Sequence, residues 1–394
     1  MIERIAWRHA IGKRSVRFRF RSRKIDRLIF LSKAHFKKNQ CPRDVFVMIT
    51  IHIVIKRVTH ASISYRGCLL YRPVGLENMA LLLSKAWNSD ARCFHLHDPE
   101  LLFVGLALRL LGRRVVYDVH EHFPQAVMVR PWVPNRMRRG LSWLADRVET
   151  AIAGNLDGVV GVVDEQAKRF SRRPFAAVKN YPRLECFSPP KECRHARFEL
   201  IHLGSLSEAR GGFFLLEVAR LLAEQGVGFR LLCLGNFHGV AAHDRFMALR
   251  EEYGLCDQVI WRAGNMSYEA LGPLLRRARV GLIPGQVSEQ NNLPFVPTKL
   301  FEYLACGLPV VSSDLPSLRR FRDQGNWGYV VKADDAQAHA WAIAHLLKNP
   351  DEAAALGRRG RQAVEQCWNW DIEAEKLVRF YREIFCEREV DHAL

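Results

Sequence analysis

The 394-residue sequence lacks several common signals. Its ten cysteines are scattered, no Cys-x-x-Cys pair occurs, and Cys186 and Cys193 have the wrong spacing for zinc. That pattern argues against a zinc ribbon or a disulfide framework and suits reduced thiols in a cytosolic protein. The longest apolar run, residues 45–55, falls short of the ~20 residues that cross a bilayer. Its β-branched content predicts a buried strand instead. Residues 2–30 are too broken by arginine to hold the apolar core of a secretory signal. Acidic residues are also scarce, 41 against 59 Lys and Arg, for a net charge of +18. Residues 1–40 hold 13 basic and 2 acidic residues and carry +11 of that charge. Such a charge suits nucleic acid, an anionic membrane surface or anionic substrates. The aromatic-interleaved or Gly-rich basic pattern of a single-strand binder is missing, so no nucleic-acid partner is expected. A peripheral enzyme at an anionic membrane surface is the preferred expectation, since each basic residue near such a leaflet gains ~1 kcal/mol at best. A solvated basic extension is the alternative.

What is present is a βα rhythm in a chain of ordinary globular composition, 48% hydrophobic and 25% charged. Strands are predicted over 92–97, 114–119, 158–163 and 176–179, alternating with helices over 100–111 and 134–153. Residues 181–197 hold three prolines and no clear period, as a linker would. Strands over 200–203, 229–234, 259–262, 280–283, 310–312 and 328–331 then alternate with helices. A final amphipathic helix spans 370–385. Repeated βα units imply parallel sheets with helices on both faces. Two runs split by a linker imply two domains: 1–180, whose first 60 residues are irregular and basic, and 199–367, joined by 181–198. Residues 368–394 form a terminal helix and tail. Ligands of such sheets bind at the carboxyl ends of the strands.

Three segments at such strand ends carry chemistry. In Pro297-Thr298-Lys299-Leu300-Phe301-Glu302-Tyr303, the proline suits the first helical position. Gly307 suits the left-handed residue after the last turn, and Pro309 blocks continuation. Lys299 and Glu302 share one face near a helix N-terminus, where anions bind. The lysine could meet a phosphate and the glutamate a ribose hydroxyl. A solvated face of an ordinary βα loop is the plain alternative. In His202-Leu203-Gly204-Ser205 through Arg210-Gly211-Gly212, a strand ends in a glycine turn, and backbone N–H groups with Arg210 could cradle a diphosphate. In Phe94-His95-Leu96-His97-Asp98-Pro99, alternation puts both histidines on one side of the strand. A metal is conceivable for such a pair, but no third ligand is indicated. Tyr117-Asp118-Val119-His120-Glu121 stands at another strand end. Leu234-Gly235 ends a strand as well, and Trp368 and Trp370 suit packing.

From about residue 92 to 385 the chain resembles glycosyltransferase family 4, in the branch with Pro-x-Lys-x-x-Glu-Tyr, a small residue, Gly, x and Pro-Val-Val. The resemblance implies an α/β GT-B fold: two facing Rossmann-like, doubly wound domains, with a C-terminal helix crossing back to the first. It implies a retaining hexosyltransferase that moves a sugar from a nucleoside diphosphate sugar to a lipid-linked or glycan acceptor. The setting implied is bacterial cell-surface polysaccharide or lipopolysaccharide assembly, cytoplasmic or peripheral at the inner membrane. No metal or other cofactor is expected. By resemblance His97, Arg210, Lys299 and Glu302 are catalytic. Gly204, Arg210, Gly235, Asn292, Pro297, Lys299 and Glu302 bind the donor, and Asp118, His120 and Glu121 line the acceptor side. His95 is expected as a packed, hydrogen-bonded histidine. Many members carry a glutamate eight residues before Glu302; here Pro294 stands there, and Asn291 or Asn292 is expected to meet the sugar. The usual opening strand with a clean loop is not visible in residues 1–60. That leaves two rivals: a relative that binds nucleotide without transfer, and a sugar-nucleotide epimerase.

Overall fold

The computed structural model describes residues 16–17, 28–34, 48–54, 83–84, 86–88, 91, 93–120, 122–128, 133–187, 197–264, 266–288 and 291–391. Most of the irregular opening segment therefore lies outside the described residues. So do Glu121 and the 188–196 part of the predicted linker. The chain forms two compact units, one of Glu3–Val178 with Glu375–Leu394, the other of Lys179–Ala374.

The first unit holds a seven-stranded sheet in chain order: β1 (Val16–Arg17), β2 (Leu28–Ala34), β3 (Met48–Val54), β4 (Cys93–Leu96), β5 (Arg114–Val119), β6 (Gly158–Gly161) and β7 (Phe175–Ala177). The apolar run near residue 50 becomes β3, parallel to β4. The three strands before β4 make an antiparallel meander, while β3 to β7 are parallel. The described strands of this sheet thus run in chain order, without the reversal of a doubly wound sheet. Helices α1 (Leu102–Leu110), α2 (Phe123–Met128) and α3 (Asn135–Ala153) accompany it. The core joins Phe94, Leu96, Val115, Tyr117 and Val159 to Leu101, Val104 and Leu108. A methyl on Gly105 would meet Leu96 Cδ1 at 2.4 Å, so α1 can lie directly on β4.

The second unit holds a six-stranded parallel sheet of β8 (Leu200–Leu203), β9 (Leu231–Leu234), β10 (Val259–Arg262), β11 (Val280–Ile283), β12 (Val310–Ser313) and β13 (Gly328–Val331). Its order is β10-β9-β8-β11-β12-β13, all parallel. The direction of winding reverses between β8 and β11, which opens a crevice at their carboxyl ends. Helices α4 (Phe214–Glu224), α5 (Val240–Glu252), α6 (Tyr268–Leu275), α7 (Thr298–Ala305), α8 (Pro316–Gly325), α9 (Ala336–Lys348) and α10 (Pro350–Gln366) link and cover the strands. Two apolar clusters flank the sheet. One includes Leu300, Phe301 and Tyr303 of α7, and the other is built on Leu216, Leu222 and Ile343.

The terminal helix α11 (Trp370–Asp391) leaves the second unit and, from Glu375 on, belongs to the first. Leu377, Phe380, Tyr381 and Ile384 are buried there. A methyl on Gly158 would stand 2.6 Å from Ile384 Cδ1, so the bare glycine admits the helix. Arg114 donates to the carbonyls of Ile384 and Phe385, at 2.8 and 3.1 Å, with its guanidinium 4.2 Å above the Phe385 ring. Trp368 packs edge-on against Phe301 and Phe321, a purely packing role.

Candidate active site

In the second unit a candidate site is built at the reversal point. Strand β8 ends at Gly204, whose φ of +113° turns the chain sharply. A methyl there would sit 3.1 Å from Lys299 Nζ, so the bare glycine lets the ammonium reach the end of the strand. The neighbouring strand end is as tight. Gly204 N–H donates to Leu234 O at 2.9 Å, and a methyl on Gly235 would fall 1.8 Å from Gly204 O. The structure therefore gives Gly235 a clear job in backbone closure.

The following turn carries Arg210. Gly211 has φ +75°, and a methyl on it would stand 1.8 Å from Pro284 O. Backbone bonds Gly211 N–H to Glu208 O and Gly212 N–H to Ser207 O fix the turn at 2.8 and 2.9 Å. Asn291 ties it to the loop after β11, donating from Nδ2 to Ala209 O (2.8 Å) and Gln286 O (2.7 Å). Asn291 is buried and Asn292 is exposed. Of the two asparagines considered for the sugar, the first is thus occupied in holding the Arg210 turn.

Helix α7 places the other two charges. Pro297 stands one position before the first helical residue, rather than at it. At the far end Gly307 has φ +73°. Its N–H bonds Leu304 O at 2.9 Å, and Leu308 N–H bonds Tyr303 O at 3.1 Å, closing a Schellman motif. Tyr303 locks the helix to β8 by accepting from Leu203 N–H at 2.8 Å. Gly281 leaves room for its ring, since a methyl there would be 2.6 Å from Tyr303 Cδ2.

The charges are far from their solution states. Burial, then the nearby Arg210, pushes the Lys299 ammonium down to about 7, against the pull of Glu302. Burial raises the Glu302 carboxyl to about 7, opposed by the Tyr268 hydroxyl and by Lys299. His202, buried beneath them, is held well below the usual histidine range by burial and then by Lys299. Lys299 and Arg210 make no ion pair within 4 Å among the described residues. Two cations near one strand end, unpaired and repelling each other, are poised for an anion.

In the first unit a separate cluster stands at the ends of β4 and β5. Strand register pairs Leu96 with Tyr117, which brings His97 alongside Asp118. His95 Nε2 donates to Asp118 Oδ2 at 2.9 Å, and His95 Nδ1 is hydrogen-bonded to the Tyr381 hydroxyl of α11. His97 Nδ1 lies 3.1 Å from the same carboxylate oxygen and 2.6 Å from His120 Nε2. The two rings stack 4.9 Å apart. Burial pushes the Asp118 carboxyl up, but His120 and the hydrogen bonds from His95 and His97 outweigh it and hold it well below the carboxylate range. An ionised Asp118 only accepts, so His95 carries its proton on Nε2 and takes the Tyr381 O–H at Nδ1. His97 Nδ1 and His120 Nε2 stand at hydrogen-bond distance, with the tautomers deciding which of them donates. The third ligand not indicated by the sequence is Asp118. With His95 and His97 it places one ligand atom from each within 4.8 Å of the others, so the cluster could hold a cation. His95 Nε2 and His97 Nδ1 already engage Asp118 Oδ2, at 2.9 and 3.1 Å.

The structure thus gathers Gly204, Arg210, Gly235, Pro297, Lys299 and Glu302 at one sheet crevice, and His97, Asp118 and His120 at another. Sequence reasoning missed His202, Asn291, Tyr268 and Tyr381 as partners of these groups. Each stands on a different element from the group it meets, so no local spacing signals the partnership.

Comparison with known proteins follows the same division. Residues 189–363, most of the second unit, match the family described as glycosyl transferases group 1. A protein of Escherichia coli (strain K12) named as a colanic acid biosynthesis glycosyltransferase, WcaL, is 31% identical over 49% of this chain and 47% of its own. The chain spans about half the length of this relative and of its Salmonella typhimurium counterpart. A phosphatidyl-myo-inositol mannosyltransferase of Mycobacterium leprae is 25% identical over 75% of each chain. Among solved structures, a sucrose-phosphate synthase from Thermosynechococcus elongatus aligns with TM-score 0.60 and 23% identity, over 79% of each chain. HepE of Anabaena, in complex with UDP, aligns with TM-score 0.60 and 14% identity, over 78% of this chain and 82% of its own. These likenesses establish the fold: two Rossmann-like α/β units of the GT-B type.

Proposed function

We propose that this chain, most of whose second unit matches glycosyl transferases group 1, transfers a sugar from a nucleoside diphosphate sugar to a hydroxyl of a lipid-linked or glycan acceptor, with retention. The observation that carries this is the pair Lys299 and Arg210, unpaired and close to one strand end, with a buried Glu302 one turn along α7. Both cations meet the diphosphate and stabilise it as it leaves. Preorganised charge of this kind is worth ~3–4 kcal/mol per key donor. Glu302 accepts from the ribose hydroxyls, and His97 contacts the transferred sugar. Asp118 holds the His97–His120 pair toward the acceptor. The bond from the anomeric carbon to the phosphate oxygen breaks, and the acceptor oxygen bonds the same face of that carbon. The acceptor proton passes to the departing phosphate. No metal takes part. HepE, solved with UDP, is a precedent for a nucleotide in this fold.

The relatives named for colanic acid and amylovoran biosynthesis favour polysaccharide assembly as the setting; a place at the cytoplasmic face of the inner membrane is part of the proposal. The test is release of nucleoside diphosphate from a panel of radiolabelled sugar nucleotides, with and without bacterial lipid extract. Acceptor-dependent release with label in a lipid or glycan product, in the donor's anomeric configuration, supports transfer. Nucleotide binding without product contradicts it and leaves a nucleotide-binding relative.

A further inference from the structure

The histidine cluster of the first unit is completed from the far end of the chain. Three histidine nitrogens converge on one carboxylate oxygen, Asp118 Oδ2: His95 Nε2 at 2.9 Å, His97 Nδ1 at 3.1 Å and His120 Nε2 at 3.5 Å. His95 is fully buried and is held on its other side as well, where Nδ1 meets the Tyr381 hydroxyl of α11. With Nε2–H given to the carboxylate, His95 Nδ1 is a bare acceptor and the phenol is its donor. Burial, then Cys93 and Asp118, pushes the Tyr381 hydroxyl well above the usual tyrosine range, so it keeps the proton it donates. The docking of α11 sets its place. Phe380 and Ile384 close on bare Gly158, and Arg114 binds the carbonyls of Ile384 and Phe385. The consequence reaches His97. Its ring lies 4.5 Å from that of His95, tilted by 40°, and shares the same Asp118 oxygen. A ring bonded through both nitrogens cannot turn over without losing both bonds, and the bond at one nitrogen decides which tautomer the other presents.

We propose that Tyr381 is a positioning residue for the first-unit site: its hydroxyl fixes the tautomer and ring orientation of His95, and through Asp118 those of His97. This rests on, and deepens, the reading of His97 as the group that meets the transferred sugar. It makes the docked terminal helix part of the site rather than a clasp alone. A Tyr381 that only packed would need no hydroxyl, and its neighbours Phe380 and Ile384 pack without one.

The test is Tyr381→Phe in the full chain, which keeps the ring and removes only the hydroxyl, read by nitrogen-15 NMR of the histidine rings and by transfer kinetics. In the wild type His95 is expected to be protonated at Nε2, with Nδ1 carrying the shift of a hydrogen-bonded acceptor. In Tyr381→Phe that Nδ1 signal is expected to move to the free-acceptor position, and the His97 signals to move with it. The kcat is expected to fall about 10- to 100-fold, as for a misplaced reacting group, with cooperative unfolding, nucleotide affinity and donor KM retained. In a His95→Gln background Tyr381→Phe is expected to cost less than about twofold more, since the two act as one unit. A wild-type His95 protonated at Nδ1, as when a cation takes Nε2, overturns the proposal, and this reading needs no variant to fold. So does a folded Tyr381→Phe protein whose His97 signals and kcat match those of the wild type. A wild type that transfers no sugar refutes the reading of His97 instead, and the His97 signals alone then decide whether Tyr381 positions it.

Discussion

The lysine at the head of α7 yields the sharpest expectation. With its ammonium down at about 7 in the free protein, Lys299 is largely neutral at pH 9. A diphosphate bound between Lys299 and Arg210 favours the charged form, so binding takes up a proton above that pH. Each pH unit between the free and bound values then costs about 1.36 kcal/mol, or roughly tenfold in affinity. Above about pH 7.5 the terminal phosphate is fully ionised and adds no slope of its own. From about pH 7.5 to 9 the dissociation constant of the preferred nucleoside diphosphate should therefore rise about tenfold or more. Lys299→Met removes the titrating group. It should weaken binding at about pH 7 by the worth of a charged hydrogen bond, ~1.5–3 kcal/mol, and leave a flat profile. Calorimetry in buffers of different ionisation enthalpy reads both the constants and the proton uptake. A flat wild-type profile, or an equal slope in Lys299→Met, would refute the reasoning.

Other expectations are independent of that one. Glu302, raised by burial to about 7 from 4.5, binds its proton more tightly folded than unfolded. Its contribution to stability is present below about pH 4.5 and lost as the pH rises to about 7; chemical denaturation should show Glu302→Gln free of that decline, and parallel curves would count against it. Gly211→Ala meets both positive φ and Pro284 O at 1.8 Å; it should lose more than about 2 kcal/mol by urea denaturation, and a loss under about 1 kcal/mol would contradict the turn geometry. Asn291→Ala frees the Arg210 turn from two carbonyls; the donor KM should rise several-fold with kcat little changed, whereas an unaltered KM would separate Asn291 from donor binding. Transfer should survive EDTA; abolition restored by a divalent ion would turn attention to His95, His97 and Asp118.

The local features of this chain were legible because local chemistry decides them. The glycine after α7, the βα alternation from β4 onward and the strand-end positions of His97, Asp118 and Arg210 all follow from short-range patterns. The chain-order first sheet was not legible. Whether β2 and β3 pair antiparallel depends on contacts between segments that look alike as apolar runs. Asn291 and Asn292 are equivalent in sequence, and only burial makes one a brace for Ala209 and leaves the other exposed. The bond from Tyr381 to His95 spans 286 positions and depends on where the terminal helix returns. No periodicity encodes that.

The measurement that bears most directly on the donor site is calorimetric titration of UDP, GDP and ADP into the full chain, beside Lys299→Ala and Glu302→Ala. One nucleotide should bind tightly to the wild type and lose that binding in both variants while the fold is retained. No binding of any of the three to a folded wild-type protein, or binding undiminished in both variants, would contradict a nucleotide-sugar site at the head of α7.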